Sequence, residues 1–341
     1  MADFLDMLTS HVSRSVAEGV ADGGDESGAE RSDARTLLTR VAFESLADGL
    51  SDDRVASMLR VLGWDGDVPC FAIAGRPAVN AAATMQAVER AVTDLGGESP
   101  VCGVRDGVVA AVIRIEAAVR PEVVCTAVSP AFGGDAVANG IDGNGSGTGN
   151  GTVADRDDAD EAGTQAGARD ETANGSNGPL CLGPVRHGVA GAAATLGAAL
   201  TTLQAAPALT PGSPGDSSGV AGVSGARTAR PVRGVTLLRA EDALPERALL
   251  GDPDARRELV NVVYGSLAGT NPDDPTMLTV STFLASGGSL ETTARTLNVH
   301  PNTVRYRLKR AADSTGWDAT DPREAYVLTT AIALGRMHAE H

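Results

Sequence analysis

Lysine is almost missing from this 341-residue sequence: Lys309 is the only one among 28 basic residues. Acidic residues number 44 and the formal net charge is −16, so a generally cationic surface for nucleic acid or anionic membrane is excluded. Net charge governs solubility and long-range steering, and leaves only a local patch open to a polyanion. No run of about 18 apolar residues occurs, and the opening MADFLDMLTSHVSRS lacks the basic start and apolar stretch of a secretory signal. A soluble cytoplasmic chain with no membrane partner is the expectation. The four cysteines, Cys70, Cys102, Cys125 and Cys181, lie far apart with no C-x-x-C, which removes the usual zinc and dithiol-redox spacings. Each sits among small apolar residues, so reduced, buried core thiols are expected, with a thiol sensor as the lesser alternative. No metal or other cofactor is called for.

The length allows two or three domains. Three stretches are too poor in apolar residues to build a core and mark the boundaries: 17–34, 135–178 and 207–230. The second holds ten glycines and a net charge of −7, and is expected to be disordered. Residues 1–63 read as a helical segment around the acidic linker 17–34, because Leu5, Leu8, Val12 and Val16 and the apolar positions of ARTLLTRVAFESLADGL and DDRVASMLRVLGW follow helical spacing.

Over 64–240 the period shortens. PCFAIAG (69–75), PVCGV (100–104), VVAAVIRI (108–115), VVCTAV (123–128), PLCL (179–182) and GVTLL (234–238) read as strands. Asp106-Gly107 suits the positive φ angles of a two-residue hairpin turn between the second and third. One amphipathic helix is spaced by Met85, Val88, Val92 and Leu95, another by Val189, Ala193, Leu196, Leu200 and Leu203. The fold class is α+β: a central α/β sandwich on a mainly antiparallel sheet, interrupted by the insertions 135–178 and 207–230, followed by an all-α domain.

Residues 241–275 form a connecting helical segment, and from 276 to 341 four helix-length segments follow with signals at their joints. Ser289 and Asp321 are N-caps, Pro322 suits a first helical position, and Gly287-Gly288 and Gly316 close helices. Residues 289–310 have the proportions of a helix-turn-helix: SLETTARTL, a turn at NVH with Val299 as its apolar plug, and a second helix opened by Pro301, over 301–315. At about 100° per residue Val304, Leu308 and Ala311 share the core face, while Asn302, Tyr306 and Lys309 lie opposite with Arg305 and Arg310 at the margins. Asn reads adenine, Arg reads guanine, and Thr303 or Tyr306 reaches phosphate or a thymine methyl, so Asn302, Thr303, Arg305, Tyr306, Lys309 and Arg310 are the candidate DNA contacts. A solvated basic helix face is the bland alternative.

The run SGGSLETTARTLNVHPNTVRYRLKRAADSTGWDATDPREAYVLTTAI resembles the C-terminal helix-turn-helix of PucR-type (CdaR-type) bacterial transcriptional regulators, most specifically at His300, Asn302, Thr303, Val304, Arg305, Tyr306, Arg307 and Leu308. LPERALLGDPDARRELVNVVYGSL (244–267) looks like the segment preceding it in such proteins, and 60–240 is more weakly similar to their central domain, a degenerate relative of the diguanylate cyclase fold. The resemblance implies a sequence-specific regulator that binds double-stranded DNA as a homodimer and answers an unknown small-molecule effector. It also implies no enzyme, since the hairpin has Arg105, Asp106 and Gly107 where cyclases carry Gly-Gly-Asp/Glu-Glu-Phe, CFAIAG has no acid, and FGGDAV (132–137) only imitates the motif. Two alternatives are a ligand-binding or protein-interaction module without DNA binding, and a nucleotide-processing enzyme using Arg186 and His187 of GPVRHGVAG as phosphate ligands; that loop has neither a P-loop nor G-x-G-x-x-G.

Overall fold

The computed structural model describes residues 25–116, 118–133, 177–209, 230–232, 235–269 and 274–339. The helix spaced by Leu5, Leu8, Val12 and Val16, and most of the tracts 135–178 and 207–230, lie outside these residues.

β1 (Pro69–Gly75) is the spine of a seven-stranded sheet ordered β2-β3-β1-β4-β7-β6, with the short β5 also on β1. It runs antiparallel to β3 (Val108–Arg114) on one side, and to β4 (Asn177–Leu182) and β5 (Arg186–His187) on the other. β2 (Val101–Arg105) folds back on β3 through Asp106 (φ 51°) and Gly107 (φ 75°), the two successive left-handed residues of a tight hairpin. Among the described strands only β4 and β7 (Val235–Arg239) pair in parallel, a geometry that requires the long crossover between them. β6 (Arg230–Val232) completes the far edge.

Alternation along β1 sends Cys70, Ala72 and Ala74 to one face and Phe71 and Ile73 to the other, and both faces are covered. On the first lie α1 (Asp25–Ala47), α2 (Asp53–Val61) and α5 (Gly188–Leu209), contributing Phe43, Leu46, Leu59 and Leu196. On the second lie α3 (Ala81–Asp94) and α4 (Pro121–Val128), contributing Val88, Val92, Val124 and Val128. α5 sits tightly on the sheet because Gly183 has no side chain: a Cβ there would come within 2.3 Å of the Thr195 carbonyl oxygen. Thr195 Oγ1 in turn accepts from the Ala72 backbone N–H at 3.1 Å. By length and composition α5 could cross a membrane, yet its Ala192, Leu196 and Ala199 are buried in this core. All four cysteines are free and buried.

Three expectations are corrected. VVCTAV (123–128) is helix, not strand: Arg120 is extended, Pro121 opens α4 at a position that needs no N–H, and Val124, Cys125 and Val128 are buried while Val123 is 42 % exposed. β-branched content suggested a strand, but burial at i, i+1 and i+4 is helical. The stretch 17–34, read as an acidic linker, is helical from Asp25: it leads into α1, which is anchored further along by Ala34, Leu38 and Phe43. Residues 207–209 extend α5 past Pro207, packing Leu209 with Cys181, Leu238 and Ala243, while 177–178 and Arg230 belong to β4 and β6.

After β7 a 3₁₀ turn (Ala240–Ala243) leads to α6 (Leu244–Leu249) and α7 (Pro253–Glu258), which loosens into a π-helical stretch (Leu259–Tyr264) and ends in α8 (Gly265–Ala268). α9 (Thr276–Ala285), α10 (Leu290–Thr296), α11 (Pro301–Thr315) and α12 (Pro322–Ala339) follow. The core of this region is continuous: Leu244, Ala248, Leu259, Val263 and Leu267 are buried in one cluster with Val280, Phe283, Val304, Leu308 and Leu328. The helices from 276 therefore share their core with the segment that precedes them.

Candidate nucleic-acid interface

α10 and α11 are set by local chemistry at each end. Ser289 Oγ caps α10 by accepting from the Thr292 N–H at 3.2 Å, and Gly287 (φ 68°) and Gly288 (φ 79°) make the sharp turn before it. Between the helices Asn298 takes φ 52°, a left-handed conformation that asparagine tolerates better than most side chains. This lets the Val299 N–H reach back to Ala294 O at 2.9 Å, and Val299 packs against the core. His300 is the N-cap of α11, its Nδ1 accepting from the Asn302 N–H at 3.1 Å. Pro301 follows as first helical residue, and Gly316 (φ 78°) ends the helix.

Val304, Leu308 and Ala311 are buried, as their spacing predicts, on the side of α11 that packs against α8, α9 and α10. That burial fixes the rotation of α11 and hence its outer face. Asn302, Arg305, Tyr306, Lys309 and Arg310 are exposed, Tyr306 at 68 %, and Thr303 is half-buried. The structure brings all six on one helix, but their three cations and the neighbouring Arg307 are not equivalent. Arg305 Nη1 donates to Asn302 Oδ1 at 2.8 Å, so these two side chains present their groups together. Arg307 is half-buried, its Nη1 donating to Thr279 Oγ1 of α9 at 3.3 Å. Arg310 is paired at 2.8 Å with Asp274, just ahead of α9. Lys309 has no hydrogen-bond or ion-pair partner among the described residues.

Asp274 accepts from the Thr276 hydroxyl at 2.5 Å and from the Thr276 N–H at 2.9 Å. These two bonds, with Arg310 and Arg307 adding, hold its carboxyl below the usual carboxylate range. Sequence reasoning missed this residue. The signal for its capping role was Asp-Pro-Thr ahead of a helix; nothing local pointed to Arg310.

In the central domain Arg105 pairs with Asp48 at 2.8 Å and Asp106 stands exposed at the hairpin tip. Among the described residues no three His, Cys, Asp or Glu side chains converge to hold a metal ion. Arg186 and His187 line a cleft of about 1190 Å³ between α5 and α7, where Arg186 faces Glu258 at 3.6 Å. Burial pushes the Glu258 carboxyl above its ordinary range despite that arginine.

Residues 276–334 match the PucR C-terminal helix-turn-helix domain and residues 47–149 a GGDEF-like domain. Uncharacterized proteins of Mycobacterium tuberculosis and Mycobacterium bovis are 49 % identical over 100 residues, 29 % of this chain. The match spans 23 % of those mycobacterial proteins. The crystal structure of a regulator of polyketide synthase expression from Bifidobacterium adolescentis superposes with a TM-score of 0.67 at 48 % identity, covering 89 % of this chain and 94 % of that one. With that coverage at that identity, and a PucR helix-turn-helix match over the helices whose outer face carries the exposed cations, the chain belongs to the PucR/CdaR-type family of transcriptional regulators.

Proposed function

We propose that this chain regulates transcription by binding duplex DNA through the outer face of α11, with Asn302 and Arg305 at base edges and Lys309 at phosphate. The observation that carries the reading is the rotation of α11. Burial of Val304, Leu308 and Ala311 turns Asn302, Arg305, Tyr306 and Lys309 outward on the first two and a half turns of a helix held in a helix-turn-helix, with Asp313 the one acidic residue further along that face. Asn302 lies at the N-terminal end, where such helices approach bases, and its contact with Arg305 pre-orients both groups. Lys309 lies two turns further on, where a compact charge reaches the backbone. Thr303 and Tyr306 complete the surface. The regulator acts as a homodimer in the cytoplasm, so that two copies of α11 meet half-sites about one helical turn apart, and a small-molecule effector acts through the rest of the fold.

Genome-wide mapping of bound DNA supplies the cognate site, and two substitutions then separate reading from adhesion. Asn302→Ala should weaken cognate binding by about 1 to 3 kcal/mol and leave random DNA nearly unaffected. Lys309→Ala should weaken both alike and lower the salt slope by about one. Binding that is indifferent to both substitutions at moderate salt overturns the assignment.

The same reading gives the central domain no cyclase chemistry. A two-metal site needs converging carboxylates, whereas β1 carries none and the hairpin tip only Asp106. Metal-dependent GTP turnover abolished by Asp106→Asn overturns this part.

A further inference from the structure

The basic patch of α11 contains its own competitor. Arg310 is 58 % exposed, on the helix that the proposed function turns toward DNA, yet its guanidinium lies 2.8 Å from the Asp274 carboxylate. Asp274 is held in place independently of Arg310, by the Thr276 hydroxyl and N–H at the start of α9. It stays ionised and stays put when Arg310 swings away. A phosphate approaching Arg310 therefore meets a cation already neutralised, with a fixed negative charge beside it. Thr279 of α9 engages Arg307 in the same way, as a neutral partner that turns the side chain inward.

We infer that Asp274 is a positioning residue for DNA binding that withholds Arg310 from the phosphate backbone and so restrains non-specific affinity. The inference rests on the DNA-binding reading of α11. Its physical basis is counterion release: only a cation that neutralises phosphate displaces condensed counterions, each contact adding about 0.9 to the salt slope. With Arg310 held by Asp274, that contribution is suppressed, and on this helix random DNA is bound chiefly through the unpaired Lys309. Discrimination between an operator and bulk DNA improves because the sequence-independent part of the binding is smaller.

The test is a double-mutant cycle with the full-length chain and a fluorescein-labelled random-sequence 20-base-pair duplex, titrated by anisotropy between about 50 and 200 mM salt. Asp274→Asn keeps an acceptor for the Thr276 N–H and removes the charge. It should steepen the salt slope by about 0.9 and tighten binding about five- to tenfold near 0.1 M salt. Arg310→Ala should lower the slope less than Lys309→Ala does in the otherwise wild-type chain, and should abolish the whole gain in the Asp274→Asn background. Thermal melts of each variant identify any loss of fold, and Asp274→Glu, which retains the charge, should bind like wild type. An Asp274→Asn chain that still melts cooperatively well above the assay temperature and binds with the wild-type slope, or more weakly, overturns the inference while leaving DNA binding intact. A wild-type chain that shows no salt-dependent binding overturns the DNA reading and this inference with it.

Discussion

Arg323→Ala should be among the most damaging single substitutions in the C-terminal region. Arg323 is the second residue of α12, and its side chain is 8 % exposed. It grips Glu246 of α6 with both terminal nitrogens, Nη1 on Oε1 and Nη2 on Oε2 at 2.6 Å, and Nη2 also donates to Asp242 O at 2.7 Å. Its guanidinium carbon lies 5.7 Å from the centre of the Tyr326 ring. Glu246 is itself only 11 % exposed, so removing the arginine strands a nearly buried carboxylate. Breaking one side of such a pair costs about 3 to 5 kcal/mol, well above the cost for a solvated pair, because the remaining charge has lost both its partner and its water. Removing both charges should cost far less than the sum of the single changes: Arg323→Met with Glu246→Leu fills the same space with apolar groups and should lie within about 2 kcal/mol of wild type. Urea denaturation followed by circular dichroism measures Arg323→Ala and the cycle of wild type, Arg323→Met, Glu246→Leu and the double variant. An Arg323→Ala cost under about 1 kcal/mol, or a double variant as unstable as the sum of the singles, would refute the reasoning and reduce the contact to an ordinary surface pair.

Gly335→Ala should destabilise by about 1 to 3 kcal/mol in thermal melts, since a Cβ there would come 2.2 Å from the Tyr264 ring, and Tyr264→Ala should absorb most of that cost when combined with it. Asn298→Gly should leave stability unchanged or raise it by up to about 1 kcal/mol, whereas Asn298→Val should lower it by about 1 to 3 kcal/mol, because φ 52° strains a β-branched residue. The native thiols should react slowly with alkylating reagents at pH 8 and fully only in denaturant: burial pushes Cys70 up to about 11 and Cys125 to about 12, and raises Cys102 and Cys181 as well. A rapidly labelled native thiol would restore the sensor reading. The Asp274 carboxyl is lowered in the folded chain, so its contribution to stability is complete above the ordinary carboxylate range and is lost as pH falls through the lowered value. Melting curves of wild type and Asp274→Asn should differ at neutral pH and converge in acid.

Much of the functional surface was legible in the residues alone because it depends on short-range rules. The i, i+4, i+7 spacing of Val304, Leu308 and Ala311 determines which side of α11 is buried, and therefore that Asn302, Tyr306 and Lys309 face outward. Ser289, Pro301 and Gly316 set helix ends through backbone hydrogen bonds no more than a turn away, and Asp106-Gly107 determines its hairpin by its own φ angles. Where composition and periodicity competed, the residues misled. VVCTAV had the β-branched content of a strand, and only its place beneath the sheet, after Pro121, made it a helix with one buried stripe. The polar start of α1 resembled a linker because those turns precede the residues that pack on the sheet. Tertiary structure alone decided which charges are available. Arg310 looks as cationic as Lys309 along the chain, but Asp274 reaches it across the packing of α9 on α11. Arg323 meets Glu246 across a sequence separation of 77 residues, which no local pattern encodes. Helix formation and capping depend on neighbours within about one turn, whereas the partner of a long flexible side chain depends on where distant backbone has been placed by the core.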